Sequence, residues 1–130
     1  MKLNALVFVL LLCSMTMANG ACDKQADESA SYKRAVRRVE ALPEYKKWRS
    51  LVSASPGVHA ARLPAVDRQM TIGHHCYWSI SEYSDEGTHI HRWQTFLVSQ
   101  HGKRILVEDL EGTPIPLATW RAKQSKDSAR

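Results

Sequence analysis

The chain has 130 residues, a formal charge of +5 at neutral pH, three cysteines and six histidines. That length supports one domain around one core and excludes a multidomain architecture. The mild basicity suits solubility or a preference for an acidic partner or an anionic surface, and in a chain whose start reads as an export leader it argues against a nucleic-acid role.

Residues 1–20 read as a secretory leader. Lys2 supplies the positive start, Ala5 to Cys13 (ALVFVLLLC) is an apolar run too short to span a bilayer, and SMTMANGAC follows. Ala18 and Gly20 offer a cleavage site that leaves a chain beginning near Ala21. Gly20-Ala21-Cys22 also matches the last three positions of a lipoprotein box, with Asn19 where an aliphatic residue is usual. Both readings place the protein outside the cytoplasm, periplasmic or secreted, either free or anchored by a lipid on Cys22. Membrane contact is expected only through that lipid. Cleavage removes Cys13, so Cys22 and Cys76 remain. They pair as a disulfide if Cys22 is not acylated; otherwise Cys76 is a lone thiol.

Residues 21–28 are a short polar tether, and a single domain is expected over 29–121. From about Asp27 the spacing of Tyr32, Ala35, Val36 and Val39 predicts a helix, with Lys33, Arg34, Arg37 and Arg38 turned to solvent. Leu42-Pro43-Glu44 predicts a kink, because proline is tolerated in the first turn of a helix and not inside one. Tyr45, Trp48, Leu51 and Val52 carry the apolar stripe onward until Ser53 to Gly57 ends it. The period then becomes two. Val58 to Leu63 is a weak edge strand stopped by Pro64, and Met70–Tyr83, Thr88–Gln100 and Lys103–Leu110 are three stronger strands. The last residues, 122–130, are expected to fray.

Turn chemistry predicts how these strands pair. Ser84-Asp85-Glu86-Gly87 suits a three-residue hairpin loop, pairing Trp78 with Gln94 and Cys76 with Phe96. His101-Gly102 suits a two-residue turn, pairing Val98 with Ile105 and Phe96 with Val107. One face then collects Ile72, His74, Cys76, Trp78, Ile80, Ile90, Phe96, Val98, Ile105 and Val107, to lie under the helix. The other collects His75, Tyr77, Tyr83, His89, His91 and Trp93, together with Ser79, Ser81, Thr95, Leu97, Leu106 and Leu110.

Four of the six histidines and Cys76 fall between residues 74 and 98, so a metal or a catalytic site has to be weighed. On this register His74 and Cys76 point inward while His75, His89 and His91 point outward. His75 stands roughly 20 Å from His91, at about 3.3 Å per residue. No metal site and no cofactor are therefore expected. His75 faces away from Cys76, and no nucleophile elbow, phosphate loop or zinc-protease motif occurs, so no catalytic residue is assigned and an enzyme is not expected. The outward Tyr77, Tyr83, His89, His91 and Trp93 are the candidate partner-binding face, rich in stiff amphipathic rings. The alternative use of that face is as a bed for Glu111 to Arg121, whose Ile115, Leu117 and Trp120 must be buried somewhere.

Leu42-Pro43-Glu44-Tyr45 with Trp48, then HRWQTFLV, GKRILVED and GTPIPLATWR, resemble small secreted bacterial proteins in which a long helix precedes a curved antiparallel sheet, a cystatin/NTF2-like arrangement. The likeness covers residues 30–121. Some such proteins are periplasmic immunity proteins that neutralise a toxin. The expected fold is thus α+β, with a kinked N-terminal helix packed on a four-stranded antiparallel sheet. The expected function is a non-enzymatic binding protein: an inhibitor or immunity protein that occludes a toxin or cell-wall hydrolase. The alternative is a small-ligand or envelope-accessory domain with a pocket between helix and sheet.

Overall fold

A computed structural model describes Cys22 and residues 30–130; the expected leader and the rest of the tether lie outside the described residues. The architecture is α+β. Helices α1 (Ala30–Glu40) and α2 (Pro43–Ala54) precede strands β1 (His59–Arg62), β2 (Arg68–Ile72), β3 (His75–Asp85), β4 (Ile90–Ser99), β5 (Ile105–Glu108) and β6 (Pro114–Pro116), and α3 (Leu117–Ser128) closes the chain. The strands form one antiparallel sheet in the order β1-β3-β4-β5-β6, with β2 also paired to β3.

The kink between α1 and α2 falls where proline chemistry puts it. Leu42 is extended (φ −65°, ψ 134°) and Pro43 opens α2, so the missing N–H removes no hydrogen bond. Both helices turn their apolar stripes onto the sheet, except that Leu51, expected in the stripe of α2, faces away from the core and is exposed. Tyr32, Ala35, Val39, Leu42, Tyr45, Trp48 and Val52 pack with Trp78, Ile80, Phe96, Val98, Ile105 and Val107 in one buried cluster. At about 1.5–3 kcal/mol for each large side chain fully withdrawn from water, this layer is the principal stabilising term.

Among the described residues the sheet has six strands rather than the four expected. The single strand expected over residues 70–83 is two. Gly73 and His74 both adopt positive φ (51° and 65°) and form a two-residue hairpin turn that pairs Ile72 with His75. Alternating apolar residues run straight through this turn, so periodicity conceals it. His74 is therefore an exposed turn residue and not a core histidine. At the other end, β6 adds an edge strand. Residues 117–128 are helix where fraying was expected from 122 onward, because Trp120 is buried against Phe96 and gives the helix a foothold.

The β4–β5 register is as expected, Val98 with Ile105 and Phe96 with Val107. Its turn is longer: Ser99 and Arg104 close a loop that holds Gly102 at φ +71°. The β3–β4 register differs. Trp78 pairs with Val98 rather than Gln94, because the hairpin tip spans Glu86–His89 and Asp85 pairs with Ile90. The slide is an even number of residues, so Trp78, Ile80, Phe96 and Val98 keep their common face. A β-bulge then intervenes: Glu82 pairs with Gln94 but Tyr83 with Arg92, leaving Trp93 as the extra residue.

β1 and β2 share one edge of β3, and the corner between them would leave a strand amide unpaired. Asp67, buried at that corner after the 3-10 turn Pro64–Val66, fills the gap. Its Oδ1 accepts from the Ser81 N–H at 3.2 Å, and its Oδ2 accepts from the Tyr32 O–H at 2.6 Å. Asp67→Ala strands both donors in the interior, and is expected to lower unfolding free energy by about 2–3 kcal/mol. Urea unfolding with an unchanged m-value checks this; an unshifted midpoint contradicts it.

Candidate functional site

The five residues expected to share an outward aromatic face do not form one surface. Tyr77 is 2 % exposed, beside Met70 of β2 and with its hydroxyl 3.5 Å from the Arg104 guanidinium. Leu97 on the same face is also buried, and Ser81 Oγ and Thr95 Oγ1 bond across the ladder at 2.7 Å. Tyr83 is half-buried, opposite Arg92 and Ala61. His89 and His91 are exposed at the β3–β4 tip, their rings stacked at 6.1 Å, with His91 Nε2 3.8 Å from Glu86 Oε2. Among the described residues no group of three or more His, Cys, Asp or Glu side chains is placed to hold a metal ion.

Trp93 is the decisive correction. The bulge turns it to the helix side, where it stacks on Trp48 of α2 at 4.5 Å with planes 3° apart and contacts Tyr45 and Phe96. Strict alternation would have left it outward. The same bulge moves Ile90, expected in the core, to an exposed position.

With Trp93 inside, a groove opens between α2 and α3. Its floor is Trp93, Gln94 and Trp120; Trp48 and Leu51 stand on one wall, Gln124 and Ser125 on the other, around a volume of about 840 Å³. It runs into a second hollow of about 480 Å³ lined by Thr95, Ile115 and the carboxylates of Glu108, Asp109, Glu111 and Asp127, against the two cations Arg92 and Lys123. At the α2 end, Arg121 forks onto Glu44, its second nitrogen 3.1 Å from Oε2. That hydrogen bond holds the Glu44 carboxyl below its ordinary pKa and staples α2 to α3. Gln94 is fixed by donating to the Glu108 carbonyl at 2.6 Å.

The rim carries two exposed leucines. Leu51 is 61 % exposed on α2, and Leu110 is 102 % exposed at the β5–β6 turn. That turn is rigid, because Asp109 Oδ1 accepts from the N–H groups of Glu111 and Thr113 and the Asp109 N–H donates to the Thr113 carbonyl. Among the described residues no histidine or cysteine lines either hollow, and the hydroxyls of Ser125 and Ser128 donate to helix carbonyls. The groove therefore offers contact area and charge rather than an activated nucleophile.

A buried carboxylate lies elsewhere. Glu82 is 2 % exposed and receives Arg62 Nε at 2.7 Å, while Arg62 also reaches Glu40 at 3.1 Å. Burial pushes the Glu82 pKa up, with Arg62 opposing it. Neither Glu82 nor Arg62 lines the groove.

Cys22 and Cys76 are joined by a disulfide, with Cα atoms 5.9 Å apart. The Cys22 sulfur that acylation would use is thereby occupied.

The α2–α3 groove was not legible as a site, since its floor needs the bulge and its far wall needs α3; the one signal was Trp120 demanding burial after Pro114 and Pro116. Comparison of the chain with protein-family models, curated proteins and solved structures gave no match.

Proposed function

We propose that the protein is a non-enzymatic, extracytoplasmic binding protein that grips an extended segment of a partner protein in the α2–α3 groove and blocks that partner by occlusion. A secreted toxin or cell-wall hydrolase is the partner class this reading takes, on a cystatin- or NTF2-like frame of helices over one face of an antiparallel sheet. The observation that carries it is Leu110, wholly exposed on a braced turn beside Leu51 and the Trp93 floor. An exposed leucine on the rim of a groove floored by two tryptophans gives a partner apolar area to bury, and tryptophan is a residue type enriched at binding hot spots. Four carboxylates against two cations in the adjoining hollow select a segment whose apolar side chains are flanked by lysine or arginine. A small apolar molecule is the second reading, favoured by a groove volume within the range of ligand sites.

Selection of displayed peptides on the wild-type protein tests this. Enriched sequences should carry apolar residues with basic neighbours. Leu110→Asp should weaken the best peptide by about tenfold or more, roughly 1.4 kcal/mol, while leaving thermal unfolding unchanged. Absence of enrichment, or peptides indifferent to Leu110→Asp, overturns the protein-partner reading.

A further inference from the structure

Three arginines of the described chain, Arg62, Arg92 and Arg121, are neutralised by glutamates, and a cluster of basic residues on α1 is not. Lys33, Arg34, Arg37 and Arg38 on α1, with Lys103 of the β4–β5 loop, are all exposed, and none of these five forms an ion pair with a described carboxylate. They are one surface. At 100° per residue the four α1 cations cover a continuous arc opposite the buried Tyr32, Ala35 and Val39. The loop is clamped to that arc: Arg34 Nη1 donates to the Gln100 carbonyl at 2.9 Å and Arg38 Nε to the Gly102 carbonyl at 2.8 Å. Gly102 is needed there, because a β-carbon at that position would lie 3.2 Å from Arg34 Cδ and its φ of +71° disfavours other residues. Two arginines thus spend one nitrogen each to hold the loop and keep the rest of their donors outward.

We infer that this patch is a docking surface for a bilayer bearing anionic phospholipid. None of its cations lines either hollow of the groove, and all of them are exposed, so the patch presents its charge as an open face. Among the described residues it also carries no exposed aromatic or large apolar side chain, which a protein partner would need for a dehydrated centre. Diffuse charge without an apolar anchor matches a sheet of phosphate headgroups, where each added cation strengthens adsorption about fivefold. The inference rests on the reading of residues 1–20 as an export leader; with the Cys22 sulfur held in the disulfide, this surface rather than a lipid on Cys22 makes the contact.

The test is co-sedimentation of the full chain, disulfide intact, with vesicles of neutral phosphatidylcholine and with vesicles containing phosphatidylglycerol, at low and physiological salt. The readout is the ratio of anionic to neutral binding, which discounts any insertion of the apolar run Ala5–Cys13. Wild type should prefer the anionic vesicles and lose that preference as salt rises. Lys33→Gln, Arg37→Gln and Lys103→Gln combined, which remove no contact made by the fold, should reduce the ratio by about a hundredfold. A charge-matched control, Lys46→Gln, Arg49→Gln and Lys126→Gln, should retain most of it. The inference is overturned by a wild-type ratio near one or by equal losses in the two triple variants. It is equally overturned if duplex DNA or an acidic protein is bound while the vesicles are not.

Discussion

Arg62→Ala is expected to lower the unfolding free energy by about 3–5 kcal/mol and to make stability fall as pH rises, which the wild type should do far less. The first part follows from desolvation. Glu82 is almost fully buried, Arg62 is its partner, and removing one member of a buried pair strands the other charge. The pH dependence follows from the sign of the shift. Burial already raises the Glu82 pKa above its ordinary 4.5, and Arg62 is what opposes the rise. Without Arg62 the folded-state pKa climbs further. Below about pH 4.5 Glu82 is protonated in both states and contributes nothing. As pH rises from there toward the elevated folded value, the unfolded chain has released its proton while the folded chain retains it, so stability falls. The deficit of R62A against wild type should therefore be larger at pH 7.5 than at pH 5. Urea unfolding at the two values measures it, and an equal deficit at both would contradict the assignment. A second variant separates charge from packing: Arg62→Met with Glu82→Leu removes both charges and is expected to be near neutral or stabilising.

Loss of the Cys22–Cys76 disulfide is the other large effect. The bond closes a loop of sequence separation 54, and the chain-entropy cost it removes from the unfolded state is about 4 kcal/mol. Reduction, or Cys76→Ser, should lower the melting temperature by more than about 10 °C. Mass spectrometry under non-reducing and reducing conditions should show a gain of two hydrogens on the pair. An acyl adduct on Cys22, or a melting temperature indifferent to reductant, would return the chain to the lipoprotein alternative.

How much of this was legible in the chain can be judged residue by residue. Pro43 announced the break between α1 and α2, since only one place in a helix accepts it. Tyr32, Ala35, Val39, Trp78, Ile80, Phe96, Val98 and Val107 declared themselves core through their spacing, and they are core. That held even though the β3–β4 register was mistaken, because an even slide preserves which side a residue faces. The candidate interface did not survive as one surface: Tyr77 is buried, His89 and His91 sit at a tip, and Trp93 lies under α2.

Local chemistry by itself determined the helix break, the identity of the buried stripe, the antiparallel α+β class and the pairing of β4 with β5. These depend on proline geometry and on periods of two and 3.6, which near neighbours in sequence impose. Only the tertiary structure decided that a single extra residue turns Trp93 inward, that Asp67 completes a strand edge 14 positions away, and that α3 returns to wall the groove. A bulge changes no local propensity, and a groove exists only between elements already packed. Contacts distant along the chain choose among registers that the strands, taken alone, find nearly equal.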